Sequence, residues 1–127
     1  MTTKPRGSIL VVEDNGDLRL SYRTILELAG WSVVEAADGR EALSLAQEHR
    51  PDVAIVDISI PGLDGWQTTR LLKAARETSG IAVIAVTGHA LDEDGERARN
   101  AGCDAYLVKP VEPRVLLDEV ERLTSAE

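Results

Sequence analysis

Short runs of apolar, largely β-branched residues recur along this chain, separated by longer stretches with helical spacing. The clear runs lie at 9–12, 53–56, 81–86 and 105–108, and a shorter one lies at 33–34. Exposed antiparallel strands alternate polar and apolar residues, whereas strands buried on both faces are apolar almost throughout. The runs therefore predict a five-stranded parallel sheet with helices on both faces.

The stretches between the runs carry the apolar stripes that are typical of helices packed against a sheet. The first stretch has such a stripe, formed by Leu18, Tyr22, Ile25, Leu26 and Ala29. Gly30 is expected to end this helix. Further helices are predicted at about 39–49, 65–77 and 90–101, and a fifth opens at Pro113, where a missing N–H costs little. The fourth has only alanines and Leu91 to bury, so we expect it to pack weakly.

The alternation of strands and helices predicts a (βα)₅ chain. Right-handed crossovers turn such a chain into a doubly wound α/β sheet, whose ligand site lies beyond the carboxyl ends of the strands. The 127 residues suffice for one domain, and neither a repeat nor a linker interrupts the pattern. We expect one folded unit at 8–124, with flexible tails at 1–7 and 125–127.

The net charge and the single cysteine limit the kinds of function and the cellular location that we expect for this chain. A formal net charge of -8 repels phosphate backbones and anionic lipid headgroups, so no direct binding of nucleic acid or membrane is expected. No apolar run approaches the roughly 18 residues of a membrane span. Cys103 has no partner for an internal disulfide and is expected to be a semi-buried, unreactive residue. These features predict a cytoplasmic protein.

Polar residues follow the strands at the points where the loops begin. Glu13 and Asp14 follow the first strand, Asp57 the third, Thr87 the fourth and Lys109 the fifth. Three carboxylates in one crevice repel one another unless a cation lies among them. Oxygen ligands with room for water fit Mg²⁺, with Mn²⁺ as an expected substitute.

A competing interpretation is that the acids at the loop starts only cap helices. Asp14 or Asn15 is a plausible cap for the first helix, and Asp64 for the third. Capping does not explain why a hydroxyl and an ammonium group end neighbouring strands. The complete set therefore favours a functional site.

Four stretches of the sequence resemble the response-regulator receiver domains, a family typified by the bacterial chemotaxis regulator. They lie at 9–14, 57–65, 86–90 and 105–110, and the resemblance runs from about residue 8 to residue 123. The resemblance implies a flavodoxin-like fold and a role in a two-component phosphorelay. It also implies a cis peptide bond between Lys109 and Pro110.

The resemblance assigns roles to the residues at the strand ends. Asp57 is the expected phosphoacceptor, attacking the phosphohistidine of a histidine kinase or a histidine phosphotransfer protein. Asp14 and Asp57 are the expected carboxylate ligands of Mg²⁺, with the Ser59 carbonyl as a further ligand and Glu13 acting through a bound water. Where many relatives carry two aspartates, this chain has Glu13 and Asp14.

The remaining roles concern charge, switching and phosphoryl lifetime. Lys109 is expected to bind a phosphoryl oxygen, and Thr87 to donate a hydrogen bond only after Asp57 is modified. Tyr106 is the expected reporter of the switch, with simple packing as the competing interpretation. Ser59 and His89 are expected to tune phosphoryl lifetime, although His89 also fits an exposed loop residue without a role. Trp66 and Trp31 are expected to be packing residues.

The expected function is that of a phosphorylated switch. The chain is not expected to be an enzyme beyond its own phosphorylation and dephosphorylation. Its output surface is expected to comprise the fourth helix, the fifth strand and the fifth helix and to bind an unknown output protein, with the chain a monomer or a phosphorylation-dependent dimer. One alternative is a docking module that works without phosphorylation. Another is a haloacid-dehalogenase-like phosphatase, but that class needs an aspartate where this chain has Ser59.

Overall fold

The computed structural model describes residues 7–60, 62–88 and 92–125, and for 92–95 it describes the backbone alone. The predictions for His89, for the start of the fourth helix and for most of both tails lie outside these residues. The strands are β1 (Ser8–Val12), β2 (Ser32–Ala36), β3 (Val53–Asp57), β4 (Ala82–Thr87) and β5 (Ala105–Val108). The helices are α1 (Gly16–Leu28), α2 (Gly39–His49), α3 (Gly65–Ala74), α4 (Asp92–Ala101) and α5 (Pro113–Thr124).

The five strands form one parallel sheet in the order β2-β1-β3-β4-β5. Leu10 of β1 lies opposite Val34 on one side and Ala54 on the other, so β1 is hydrogen-bonded along both edges. This confirms the predicted five-stranded α/β sheet. The order reverses between β1 and β3, and in such sheets the crevice at the reversal is where ligands bind.

Successive residues of the central strands face opposite layers of helices, which is why their sequences are apolar throughout. Ile9 and Val11 belong to a core cluster with Leu26 of α1 and Leu116 of α5. Leu10 and Val12 belong to a second cluster, with α2 and α3, through Ala42, Ala46 and Leu72. The sheet is therefore covered on both faces, as the apolar runs predicted.

The third helix is shorter than predicted. It ends at Ala74 and not near residue 77, and a turn follows it. The Thr78 hydroxyl donates to the Leu72 carbonyl at 2.6 Å, and the N–H groups of Thr78 and Ser79 both donate to the Ala75 carbonyl. The backbone is extended at Ala75, with ψ 133°, and the Thr78 hydroxyl occupies the Leu72 carbonyl that a continued helix would have used, so α3 ends there.

Helix α4 buries little apolar surface among the residues whose side chains are described. Ala98 and Ala101 are buried and pack in a small cluster with Trp66 of α3 and Ala85 of β4. The Arg97 guanidinium lies 5.4 Å from the centre of the Trp66 ring, in cation–π range. The expectation of weak packing for α4 agrees with these contacts, and Trp66 is a packing residue.

Among the described residues, no helix is long and apolar enough to cross a membrane. Trp31 is buried in the same cluster as Ile9 and Leu26, as predicted. Cys103 is partly buried, and burial raises the pKa of its thiol to about 11. A thiol with such a pKa is almost wholly protonated at neutral pH and is a poor nucleophile.

Candidate functional site

The polar residues at the strand ends meet at the carboxyl edge of the sheet. Asp57 and Thr87 are the last residues of β3 and β4, and Glu13 and Lys109 directly follow β1 and β5. Because these four strands are consecutive in the sheet, the residues form one row. The exposed fractions of Glu13, Asp57 and Thr87 are 1%, 3% and 3%, so the protein withdraws these polar groups from water.

Three carboxylates gather at the centre of the row. One oxygen from each of Glu13, Asp14 and Asp57 lies within 4.8 Å of the other two, and Asp14 alone is exposed to solvent. A group of oxygen donors that is open to water on one side suits a hard divalent cation such as Mg²⁺, which retains several waters. The donor set therefore fits the predicted metal.

Lys109 offsets part of this negative charge. Its Nζ lies 2.9 Å from Asp57 Oδ2 and 3.4 Å from Glu13 Oε1. Burial alone would lower the pKa of Lys109, but the hydrogen bonds and charges of Asp57 and Glu13 outweigh it and raise the pKa. The Lys109 N–H donates to the Thr87 carbonyl at 2.7 Å, so β4 holds the backbone that carries the ammonium group.

The two oxygens of Asp57 have different partners. Oδ2 accepts from Lys109, and Oδ1 accepts from the backbone N–H of Ser59 at 2.9 Å. The following loop is held by a bond from the Gly65 N–H to the Ile58 carbonyl at 3.1 Å. A Cβ on Gly65 would lie 2.5 Å from Ile58 Cα, so only glycine allows α3 to begin so close to Asp57. The sequence predicted Gly65 as the start of the third helix and as part of a motif, but not this close approach to Ile58.

Glu13 is a weak acid in this setting. Burial, together with a hydrogen bond to Asp57, raises the pKa of Glu13 to about 7, although the Asn15 N–H and Lys109 oppose the shift. Without a cation, Glu13 is therefore protonated in a large fraction of the molecules near neutral pH. A divalent cation would displace this proton, because metal ligands bind as carboxylates.

The helix-capping interpretation holds for two residues that are not in the carboxylate group. Asn15 Oδ1 accepts from the Leu18 N–H at 2.9 Å and caps α1. Asp64 caps α3 in a reciprocal box with Gln67. Asp14 is therefore not the cap of α1, and its carboxylate belongs to the acidic group.

Thr87 and Tyr106 lie on the neighbouring strands β4 and β5, and Tyr106 packs near α4. The register pairs Tyr106 with Ala85, two residues before Thr87. Tyr106 is half-buried against the cluster of Trp66, Ala85, Ala98 and Ala101. Tyr106 thus packs against a cluster whose members belong to β4, α3 and α4.

Sequence reasoning did not identify Arg19 as part of the site. Arg19 Nη1 donates to the Glu13 carbonyl at 2.7 Å, and Nε donates to Glu35 Oε1 at 2.9 Å. Arg23 also pairs with Glu35, through its other oxygen. Arg23, followed by Arg19, holds the pKa of Glu35 below its usual range against the effect of burial. The spacing of Arg19 from Asp14 was visible in the sequence, but its pairing with β2 was not.

Tyr22 is a second residue whose role was not foreseen beyond core packing. It lines a cleft of about 440 Å³ with Leu18, Ile25, Lys109 and Val111. Its hydroxyl is buried and has no hydrogen-bond partner among the described residues. Burial raises the pKa of Tyr22, with Lys109 opposing and Glu13 and Asp57 adding to the shift. The predicted cis bond between Lys109 and Pro110 is present beside this cleft.

The comparisons with known proteins agree with this geometry. The family model for the response regulator receiver domain matches residues 9–121. The polar-differentiation response regulator DivK of Brucella anthropi is 42% identical over 104 residues, which cover 82% of this chain and 85% of that protein. Chemotaxis protein CheY4 of Vibrio cholerae has a TM-score of 0.87 at 31% identity, and the match covers 91% of this chain and 97% of that one.

A third relative carries a metal. The receiver domain of sensor histidine kinase PA1611 from Pseudomonas aeruginosa was solved with a magnesium ion coordinated in the active-site cleft. It has a TM-score of 0.86 at 33% identity, covering 94% of this chain and 98% of that one. Since the family model spans nearly the whole chain and these relatives share its sheet, this chain belongs to the response regulator receiver domain family of two-component signalling.

Proposed function

We propose that the protein accepts a phosphoryl group on Asp57 from a phosphohistidine in a Mg²⁺-dependent reaction. One observation carries the proposal: Asp57 is a buried carboxylate whose two oxygens are held separately, by the Ser59 N–H and by Lys109, within the acidic group. A carboxylate oriented in this way is a suitable nucleophile for in-line attack. The donor is a histidine kinase or a histidine phosphotransfer protein.

The chemistry assigned to this site is a single displacement at phosphorus. An Asp57 oxygen bonds to phosphorus as the phosphorus–nitrogen bond breaks, and the leaving imidazole takes the electron pair and is neutralised by a proton. Asp14 and Asp57 would hold Mg²⁺, with the Ser59 carbonyl as a further ligand and Glu13 acting through water; Mn²⁺ is an expected substitute. The metal would neutralise charge on the transferring oxygens.

Lys109 and Thr87 complete the proposed reaction. Lys109 already contacts Asp57, so its ammonium group needs little movement to bind a phosphoryl oxygen. Thr87 stands at the end of the neighbouring strand and would donate its hydroxyl only to the modified residue. Tyr106 would follow Thr87 and change the surface formed by α4, β5 and α5, which then controls an output protein.

Membership of the family does not decide the catalytic scope, the phosphoryl lifetime, the oligomeric state or the partners of this protein, and our proposal covers these as well. The chain catalyses only its own phosphorylation and dephosphorylation, and Ser59 and His89 tune the lifetime of the acyl phosphate. The receiver unit spans 8–124 and acts in the cytoplasm, as a monomer or as a dimer formed on phosphorylation. Neither nucleic acid nor membrane is a direct partner, in keeping with the net charge of -8.

Intact-protein mass measures the proposed reaction directly. We expect a gain of about 80 Da, one phosphoryl group, after incubation with Mg²⁺ and phosphoramidate or acetyl phosphate. The gain should disappear when Mg²⁺ is chelated and in Asp57→Asn, which is nearly isosteric. A gain that persists in Asp57→Asn would place the phosphoryl group elsewhere.

The same experiment separates the two alternatives. Absence of labelling by small donors and by a phosphorylated kinase would support the docking module. Continuous donor turnover without a mass gain would support the phosphatase. The sequence argues against the phosphatase, because Ser59 stands where that class needs a general acid.

A further inference from the structure

The peptide group that joins Glu13 to Asp14 is held from a neighbouring helix. This peptide lies between two of the three clustered carboxylates, so its orientation sets the direction of both side chains. The Glu13 N–H donates to the Ala36 carbonyl of β2 at 3.0 Å, and the Glu13 carbonyl accepts from Arg19 Nη1 at 2.7 Å. The peptide groups before and after Glu13 are therefore both held by hydrogen bonds. The donor to the second one is the charged guanidinium of Arg19.

The Arg19 guanidinium is itself held in place. Its Nε donates to Glu35 Oε1 at 2.9 Å, and the exposed side-chain fractions of Arg19 and Glu35 are 24% and 26%. A pair that is mostly shielded from water is less weakened by solvent than an exposed one. The planar guanidinium spans the Glu35 carboxylate and the Glu13 carbonyl together, which a lysine ammonium does not do with fixed geometry.

The pairing of Arg19 with Glu35 also determines which groups the Arg19 guanidinium binds. A guanidinium next to three carboxylates is a natural competitor for a cation that binds there. Glu35 offsets the charge of Arg19 and binds its Nε, while Nη1 donates to the neutral Glu13 carbonyl, so the carboxylates stay available. Groups that orient metal ligands in this way typically affect affinity about 10- to 100-fold.

We propose that Arg19, oriented by Glu35, is a positioning residue for the metal centre, holding Glu13 and Asp14 in the geometry that binds Mg²⁺. This inference rests on the metal site of the proposed function. The simpler explanation is that Arg19 only tethers α1 to β2. Arg23 distinguishes the two, because it pairs with the same glutamate from the same helix but makes no bond to the Glu13 carbonyl among the described contacts.

The test is a calorimetric titration with Mg²⁺ alone, without a phosphodonor. We expect Arg19→Met to weaken Mg²⁺ binding about 10-fold. The matched control Arg23→Met should change affinity by less than about twofold, as expected for a surface substitution away from the ligands. Arg19→Lys keeps the charge without the fork and should restore only part of the affinity. Urea unfolding of each variant verifies that it is folded.

Glu35→Gln provides a second route should Arg19→Met fail to fold. It leaves the arginine in place but removes the charge that orients it, so we again expect weaker Mg²⁺ binding than in Arg23→Met. Equal losses in the Arg19 and Arg23 variants would overturn the proposal in favour of a simple tether, and so would wild-type affinity in Arg19→Met.

The inference and the proposed function fail in different ways. If the wild-type protein did not bind Mg²⁺, the metal site and the positioning role would both fall. If it bound Mg²⁺ with the predicted order of variants but gained no phosphoryl mass, only the phosphoacceptor function would fall.

Discussion

The two outer parts of the sheet are held by different interactions. We call β2 and α1, with the acidic residues beside them, the ligand end, and β5 and α4 the proposed switch end. At one end, α1 and β2 are tied to the loop after β1 by hydrogen bonds that run from Glu35 through Arg19 to the Glu13 carbonyl. At the other end, the described side chains of α4 bury only Ala98 and Ala101 against Trp66 and its neighbours. Charged directional bonds position the first end, and a small apolar contact holds the second.

The difference suits what each end has to do. A metal site binds well when its ligands are already oriented, because no free energy is then spent on arranging them. A switch needs two packings that differ by only a few kcal/mol, and a contact made by alanines costs little to rearrange. By the proposed function, Mg²⁺ would bind where charged hydrogen bonds hold the ligands, and the switch would lie where a small apolar contact is easily repacked.

Mg²⁺ should stabilise the ligand end far more than the switch end. At 100 times its dissociation constant, Mg²⁺ should raise the free energy of unfolding by about 2.7 kcal/mol, measured by urea denaturation. In hydrogen exchange through local openings, the amides of Asn15 and Ser59 should slow, since both donate to carboxylates of the acidic group. Equal slowing of the Gly102 and Cys103 amides at the end of α4 would break the comparison.

Protons should compete with Mg²⁺ at Glu13, and this competition tests the description of the ligand end. Because the pKa of Glu13 is raised to about 7, Mg²⁺ affinity should fall as pH falls through 7, approaching tenfold per unit in the range where a proton must leave. Calorimetry at several pH values measures this dependence. Glu13→Gln should flatten it, and a profile that stays equally steep in that variant would assign the proton elsewhere.

The raised pKa of Glu13 has the opposite effect on the stability of the Mg²⁺-free protein: Mg²⁺ affinity rises with pH, whereas this contribution to stability falls. A carboxyl group whose pKa rises on folding stabilises the fold when protonated. Its contribution is complete below the ordinary pKa of 4.5 and is lost as pH rises through about 7. Urea unfolding without Mg²⁺ should therefore show this contribution declining across that window in the wild type and not in Glu13→Gln.

The smallest expected effect concerns the switch end. Arg97→Ala removes the cation–π contact with Trp66 and should cost about 0.5–1 kcal/mol in unfolding free energy. Trp66 fluorescence should change with it. Arg99→Ala, an exposed change on the same helix, is the matched control and should have almost no effect on either quantity. Equal effects of the two changes would show that charge on α4, and not the ring contact, holds the helix.

Much of the fold followed from local patterns. The five apolar runs became the five strands, because strands buried on both faces leave an uninterrupted apolar signature. Asn15 and Asp64 were recognisable as caps because a cap bonds to residues only three positions away. The end of α3 was misplaced because the backbone becomes extended at Ala75 and the Thr78 hydroxyl takes the Leu72 carbonyl, and residue spacing reveals neither feature.

The sequence by itself determined the order of the elements and the chemical types that stand at the strand ends. Carboxylates, a hydroxyl and an ammonium group had to meet there, because parallel strands present their carboxyl ends to one edge. The tertiary structure alone decided that Arg19 reaches the Glu13 carbonyl, that the Tyr22 hydroxyl is buried, and that Glu13 is a weak acid. These properties depend on burial and on distances between residues far apart in the chain, which local spacing does not encode.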